Sequence, residues 1–150
     1  MQALSVGGLR GELVALALEW ERRYSVSPAI TGAVAEFDAA LLVGHTAESF
    51  GLDCAGRTSV TRGADFRHGA LRYQVKANRP GGNPDSPVTL VARAKNYDWD
   101  RLIWLLYDRG FQLLEAWEWP VDEYRTSLGS LARLSPAHTR RGRRLFPVST

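Results

Sequence analysis

The sequence predicts an α+β protein in which helices pack on a sheet within one domain. Three observations carry that reading. Apolar residues recur at helical spacing over residues 12–43; β-branched and aromatic residues with turn signals replace them over 58–77; residues 101–119 read as two apolar strands joined by a tight turn. A length of 150 residues suits one core, because two independent cores would each be marginal in size.

Taken in order, ELVALALEWERRY at 12–24 sets Leu13, Leu16, Trp20 and Tyr24 on one stripe, with most charges off it, which predicts an amphipathic helix. A second helix follows. Ser27 suits its cap, Pro28 its first turn and Gly44 its end, and Ile30, Val34, Phe37 and Leu41 form its apolar stripe. Glu36 lies at the edge of that stripe among small residues. Residues 45–56 read as loop. TSVTRGADFRHGALRYQVKA at 58–77 reads as a hairpin that turns at Arg67 to Gly69 and returns over about 70–77. On the returning strand Leu71, Tyr73, Val75 and Ala77 share one face, and Arg72, Gln74 and Lys76 the other. Three Pro and two Gly make 78–87 a loop, and Val88 to Ala92 stays open between strand and helix. RLIWLLY at 101–107 suits a strand buried on both faces. Asp108-Arg109-Gly110 forms a turn and FQLLEAWEW an antiparallel partner; Pro120 then opens a helix to about 132, and a short strand follows near Arg143 to Phe146. The organisation is a single domain of three parts: an N-terminal helix over 1–26, a core over 28–119, and a C-terminal helix with a basic tail over 120–150.

Composition excludes several classes. No run of about 18 apolar residues occurs, so no membrane span or membrane partner is expected. Met1 to Gly11 lacks the pattern of a signal peptide, and the expected location is cytoplasmic. One cysteine, Cys54, forms no internal disulfide, and with histidines scattered at 45, 68 and 138 it builds no zinc site. The net charge is +3 but unevenly laid out: residues 1–56 carry −4, 57–95 carry +6, 96–123 carry −5 and 124–150 carry +6. Two basic blocks on one face would suit a polyanion; otherwise they are solvated surface.

One constellation carries chemistry. Glu36 sits on a helix, Asp65 precedes a hairpin turn, and Gln74-Val75-Lys76 follow on the returning strand. Adjacent strands bring Asp65 and Gln74 together, and Gln74 and Lys76 project from one face. Asp65, Gln74, the Val75 carbonyl and Glu36 offer the hard oxygen ligands that Mg2+ (or Mn2+) prefers. A cation held there lowers the pKa of water, and Lys76 offsets charge developing on a phosphate. The chain has 17 Arg and only 2 Lys, yet Lys stands at position 76. The alternative reading has Asp65 as a turn residue, Gln74 and Lys76 as an exposed strand face, and Glu36 solvated.

At these residues the chain resembles the PD-(D/E)xK nuclease superfamily, in the Mrr-like branch where Gln replaces the middle acid. The resemblance covers about residues 28–119 and maps the family motif onto Glu36, Asp65, Gln74 and Lys76 as catalytic residues. It implies a restriction-endonuclease-like mixed sheet flanked by helices, Mg2+-dependent endonuclease hydrolysis of DNA, and a homodimer able to cut both strands. Gly63-Ala64 stand where the family name has Pro, and Gln74 brings no negative charge.

Arg72 and Arg79, with Arg140, Arg141, Arg143 and Arg144 of the tail, are the candidate phosphate contacts. Trp99, Trp104, Trp117 and Trp119 stack bases or, the stronger reading, pack in the core or in a dimer contact. Two rival functions remain: a nuclease-like module that binds DNA without cutting it, and an interaction or immunity-type protein that uses its acidic blocks.

Overall fold

A computed structural model describes residues 6–57, 63–81 and 87–148. The first half of the expected hairpin (58–62) and the middle of the Pro/Gly loop (82–86) lie outside the described residues.

Helix α1 spans Val6–Tyr24 and so begins well before Glu12. Its expected apolar stripe is not its inner face. Val14 and Ala17 are buried, while Leu13, Leu16, Trp20 and Tyr24 face solvent. The helix turns inward the side that carries Val14 and Ala17; it contacts α3, and Val14 joins the core layer.

Helix α2 spans Thr31–Leu42 and buries Val34, Ala35, Ala39 and Ala40. It starts later than Ser27 and Pro28 suggest: Ile30 is its N-cap and makes no side-chain cap bond. Ser27 instead receives a hydrogen bond from Arg79. Gly44 ends the helix as expected, with φ at +118°; its N–H bonds Leu41 O and the next N–H, of His45, bonds Ala40 O.

Helix α3, Ala47–Ala55, occupies the segment expected to be loop. The cause is a reciprocal cap, in which Thr46 accepts from the Ser49 N–H and Ser49 from the Thr46 N–H.

Strands β1 (Phe66–His68), β2 (Leu71–Asn78), β3 (Arg101–Tyr107), β4 (Leu113–Pro120) and β5 (Arg143–Phe146) form one open mixed sheet in that order. β1–β2, β3–β4 and β4–β5 are antiparallel and β2–β3 is parallel, with Tyr73 opposite Arg101 and Asn78 opposite Leu106. The β2–β3 connection, 79–100, holds no helix among its described residues; Val91 forms only an isolated bridge to Leu134. β3 matches the expected run residue for residue and is buried on both faces. Helix α4, Val121–Leu128, follows Pro120 but ends earlier than expected, and a four-residue helix α5, Pro136–Thr139, precedes β5.

The sheet separates two apolar layers. Tyr73, Val75, Ile103, Leu105 and Ala116 pack under α1 and α2. On the other face Leu102, Trp104 and Trp119 pack with Val91, Trp99, Tyr124 and Leu128. Each buried indole N–H finds an acceptor: Trp99 at Asn96 O, Trp104 at Asn78 Oδ1 and Trp119 at Thr139 O. Among the described residues no helix is long and apolar enough to cross a membrane.

Candidate functional site: a carboxylate corner at the edge of the sheet

The site begins at the entry to β1. Phe66 stacks on Tyr73 with ring centroids 4.9 Å apart, and the Asp65 N–H donates to Tyr73 O at 2.7 Å. These contacts place Asp65 beyond the end of β1, opposite Gln74. Gly63 makes the approach possible: its φ is +81°, and a Cβ there would lie 2.6 Å from Asn96 Oδ1 and 2.7 Å from Asp98 Cβ. Asp65 Oδ2 accepts from the Val75 N–H at 2.7 Å and from Gln74 Nε2 at 3.0 Å.

In a strand the N–H and C=O of one residue point to the same side. The Val75 carbonyl is therefore directed toward the same edge as Asp65, beyond the last β1 partner, Phe66 opposite Tyr73. Gln74 joins Asp65 as a donor, through its amide nitrogen, rather than adding a second oxygen at the same point. Lys76 is half-buried two residues on, and among the described residues it makes no ion pair or hydrogen bond.

Helix α2 packs on β2 and brings Glu36 to this corner. Burial and the facing Asp65 carboxylate push the Glu36 carboxyl up to about 7; Arg57 opposes the rise, and the side-chain hydrogen bond with Asp65 adds to it. Glu36, Asp65, Gln74 and Val75 are thus brought by α2, the β1 entry and β2 to one edge, whereas Lys76 stands on the strand face of Gln74, paired in register with Trp104, and among the described residues no contact links it to either carboxyl. The donor set of two carboxyls and a backbone carbonyl fits a hard cation that keeps several waters. Among the described residues no group of three or more His, Cys, Asp or Glu side chains comes together.

Sequence reasoning missed Arg57, because it missed the helix that delivers it. Arg57 follows α3, contacts Asp53 at 3.5 Å and has a buried Nε with no hydrogen-bond partner among the described residues. With Asp53, Ala64, Phe66 and Arg67 it lines a cavity of about 280 Å3. The Thr46/Ser49 hydroxyl pair is the signal that reveals α3.

The expected phosphate contacts divide. Arg79 is almost enclosed: it bonds Glu21 and the Arg109 carbonyl and lies 4.1 Å from the Phe111 ring centre. Its donors are used within the fold. Arg72 meets Asp100 at 3.4 Å; the Arg72 backbone N–H, then its guanidinium, hold Asp100 below the usual carboxylate range. In the tail, Arg140 pairs with Glu115 at 2.5 Å and Arg143 with Glu118 at 2.8 Å, while Arg141 is exposed and Arg144 also has interactions. Trp99, Trp104 and Trp119 belong to the core. His45 bridges Ser49 and the Arg67 carbonyl and packs against His68, so both rings pin the α3 region to the hairpin. Cys54 is exposed. Comparison of the chain with protein-family models and with curated proteins gave no match.

Proposed function

We propose that the corner formed by Glu36, Asp65, Gln74, Val75 and Lys76 is the active site of a divalent-metal-dependent DNA endonuclease of the PD-(D/E)xK type, built on a restriction-endonuclease-like core. The observation that carries the reading is the meeting of Glu36 and Asp65 at a strand edge, with Lys76 two residues after Gln74 and without a partner among the described residues. Two facing carboxyls in a half-buried place repel one another, and a cation between them removes that repulsion.

Asp65, Glu36 and the Val75 carbonyl would hold Mg2+ or Mn2+. When bound, the ion supplies Lewis acidity toward the phosphate and lowers the pKa of water. The chain's own residues do the rest. Gln74 and the Val75 N–H orient the Asp65 carboxylate, and Lys76 stabilises the negative charge that grows on the phosphate as water adds and the bridging P–O bond breaks.

Calorimetry with MnCl2 and MgCl2 tests the site: the wild type gives saturable heat and Asp65→Ala gives none, whereas equal and negligible heats for both remove the metal from the proposal. Plasmid nicking tests the chemistry. Lys76→Ala nicks about a hundredfold more slowly or worse, while its DNA affinity in EDTA changes by about tenfold at most. Lys76→Arg fails nearly as badly, because a guanidinium is broader and more diffuse than an ammonium. Nicking by Lys76→Ala at the wild-type rate refutes the assignment.

One observation favours a second reading, a DNA-binding module that does not cut. Asp65 Oδ2 already accepts two hydrogen bonds, one of them from the amide that stands in place of a second acid. DNA binding without nicking under Mn2+ selects it.

A further inference from the structure

Five large apolar side chains of α1 are uncovered: Leu9 is 53% exposed, Leu13 39%, Leu16 70%, Trp20 53% and Tyr24 58%. Their spacing of 4, 3, 4 and 4 residues puts them on one stripe, about 22 Å long at the rise of an α-helix. It is a second apolar face, beside the one that buries Val14 and Ala17 in the body of the protein.

We propose that this stripe is the contact through which α1 pairs with α1 of a second copy of the chain, antiparallel and related by a two-fold axis near Leu16. The proposal does not depend on nuclease activity and stands if the protein never touches DNA.

Two features select this occupant and this orientation. The first is shape. At the N-terminal end of the stripe, Leu9 and Leu13 run into an apolar cavity of about 260 Å3 that Phe37 and Phe50 also line. At the C-terminal end Trp20 and Tyr24 project as a pair, with ring centroids 4.7 Å apart. An antiparallel two-fold pair sets Leu13 opposite Trp20 of the other copy and Leu9 opposite Tyr24, so the aromatic pair of each copy comes to the cavity of the other. Such a surface is complementary to itself, as an isologous interface requires.

The second feature is charge. Arg22 and Arg23 both bind the same acid, Glu19, which leaves a surplus of positive charge near the helix end. Glu12, one helical face away from the body, is exposed and has no ion pair among the described residues. Antiparallel pairing brings Glu12 of each copy beside the Arg22–Arg23 end of the other. Parallel pairing would gather the arginines together and separate them from Glu12.

Sedimentation from micromolar to submillimolar protein tests the contact, with circular dichroism to verify folding. The wild type dimerises. Leu16→Glu, at an exposed position, keeps its helix content and thermal midpoint but weakens dimerisation by at least about a hundredfold. Glu12→Arg and Arg23→Glu each weaken it about tenfold, and the double substitution recovers most of the loss. Orientation is read by oxidation in a Cys54→Ser background: Leu16→Cys links two chains through a disulfide, and Leu9→Cys does not, because the two Leu9 positions then stand about 22 Å apart along the helices. A monomeric wild type, a Leu16→Glu variant that still dimerises, or efficient linking through Leu9→Cys overturns the proposal.

Discussion

Glu36 is where the sequence is locally most ambiguous and the structure most specific. An acid on a helix flank beside small residues is ordinarily solvated; here it faces a second carboxyl. Its raised pKa has a definite consequence. Between its ordinary 4.5 and about 7 the folded protein holds a proton that the unfolded chain has released. Stability supplied by that proton is present at the low end of the window and is lost as pH rises through it. Denaturant titrations on the metal-free protein therefore show stability falling across this range. Glu36→Gln removes that part of the slope and is more stable than wild type at pH 8. Mn2+ affinity runs the other way and rises with pH until Glu36 is deprotonated; a flat affinity profile through pH 7 refutes the carboxyl pair as ligand.

At the scale of elements, legibility follows the physics of each signal. β3 and its antiparallel partner are readable because an uninterrupted apolar run admits few alternatives. The Asp65–Gln74 contact is readable because strand pairing fixes which residues stand opposite. Two things are not. Helix α3 has no strong apolar stripe, and its start depends on two hydroxyls exchanging hydrogen bonds. Thr46→Ala removes one of those bonds and lowers stability by about 1 kcal/mol, with fraying of α3 visible as faster amide exchange over Ala47–Ala55. The inner face of α1 is unreadable for the opposite reason: the helix has two apolar faces, and the larger residues mark the exposed one. Side-chain size predicts burial only when nothing else competes for the face.

For the molecule as a whole, several arginines that look like a nucleic-acid surface in the sequence join distant parts of the chain. Arg79 links the end of β2 to α1 and to the turn at Arg109. Arg79→Ala therefore lowers stability, by about 2–3 kcal/mol as for lost charged hydrogen bonds, and leaves the salt dependence of DNA binding unchanged in gel shifts. Arg10 makes a similar join, from α1 to Asp38 of α2, which also accepts from the Tyr107 hydroxyl of β3 at 2.6 Å. Burial, then the Asp38 carboxylate, raises the Tyr107 pKa, so this hydroxyl stays a donor throughout the working pH range. The tail is intermediate. Arg140 and Arg143 already have carboxylate partners and Arg144 is engaged as well, so replacing Arg140, Arg141, Arg143 and Arg144 together by Gln flattens the salt slope of DNA binding by about one unit rather than four. A larger change shows that the pairs open on DNA.

The parallel pairing of β2 with β3 bears on the order in which the chain folds. β3 and β4 meet across a turn of a few residues, whereas β2 reaches β3 only after the 79–100 connection closes. Closing that longer loop costs about 1 kcal/mol more in chain entropy, and no helix within its described residues offsets the cost early. The β3–β4 hairpin accordingly nucleates the sheet and β2 joins it later. Folding-rate measurements check this: truncating Ile103 on β3 slows folding, while truncating Val75 on β2 chiefly speeds unfolding. The carboxylate corner, which hangs on β2, then acquires its rigid frame among the last parts of the molecule, and a chain still emerging from synthesis carries the charged residues of the site without its geometry.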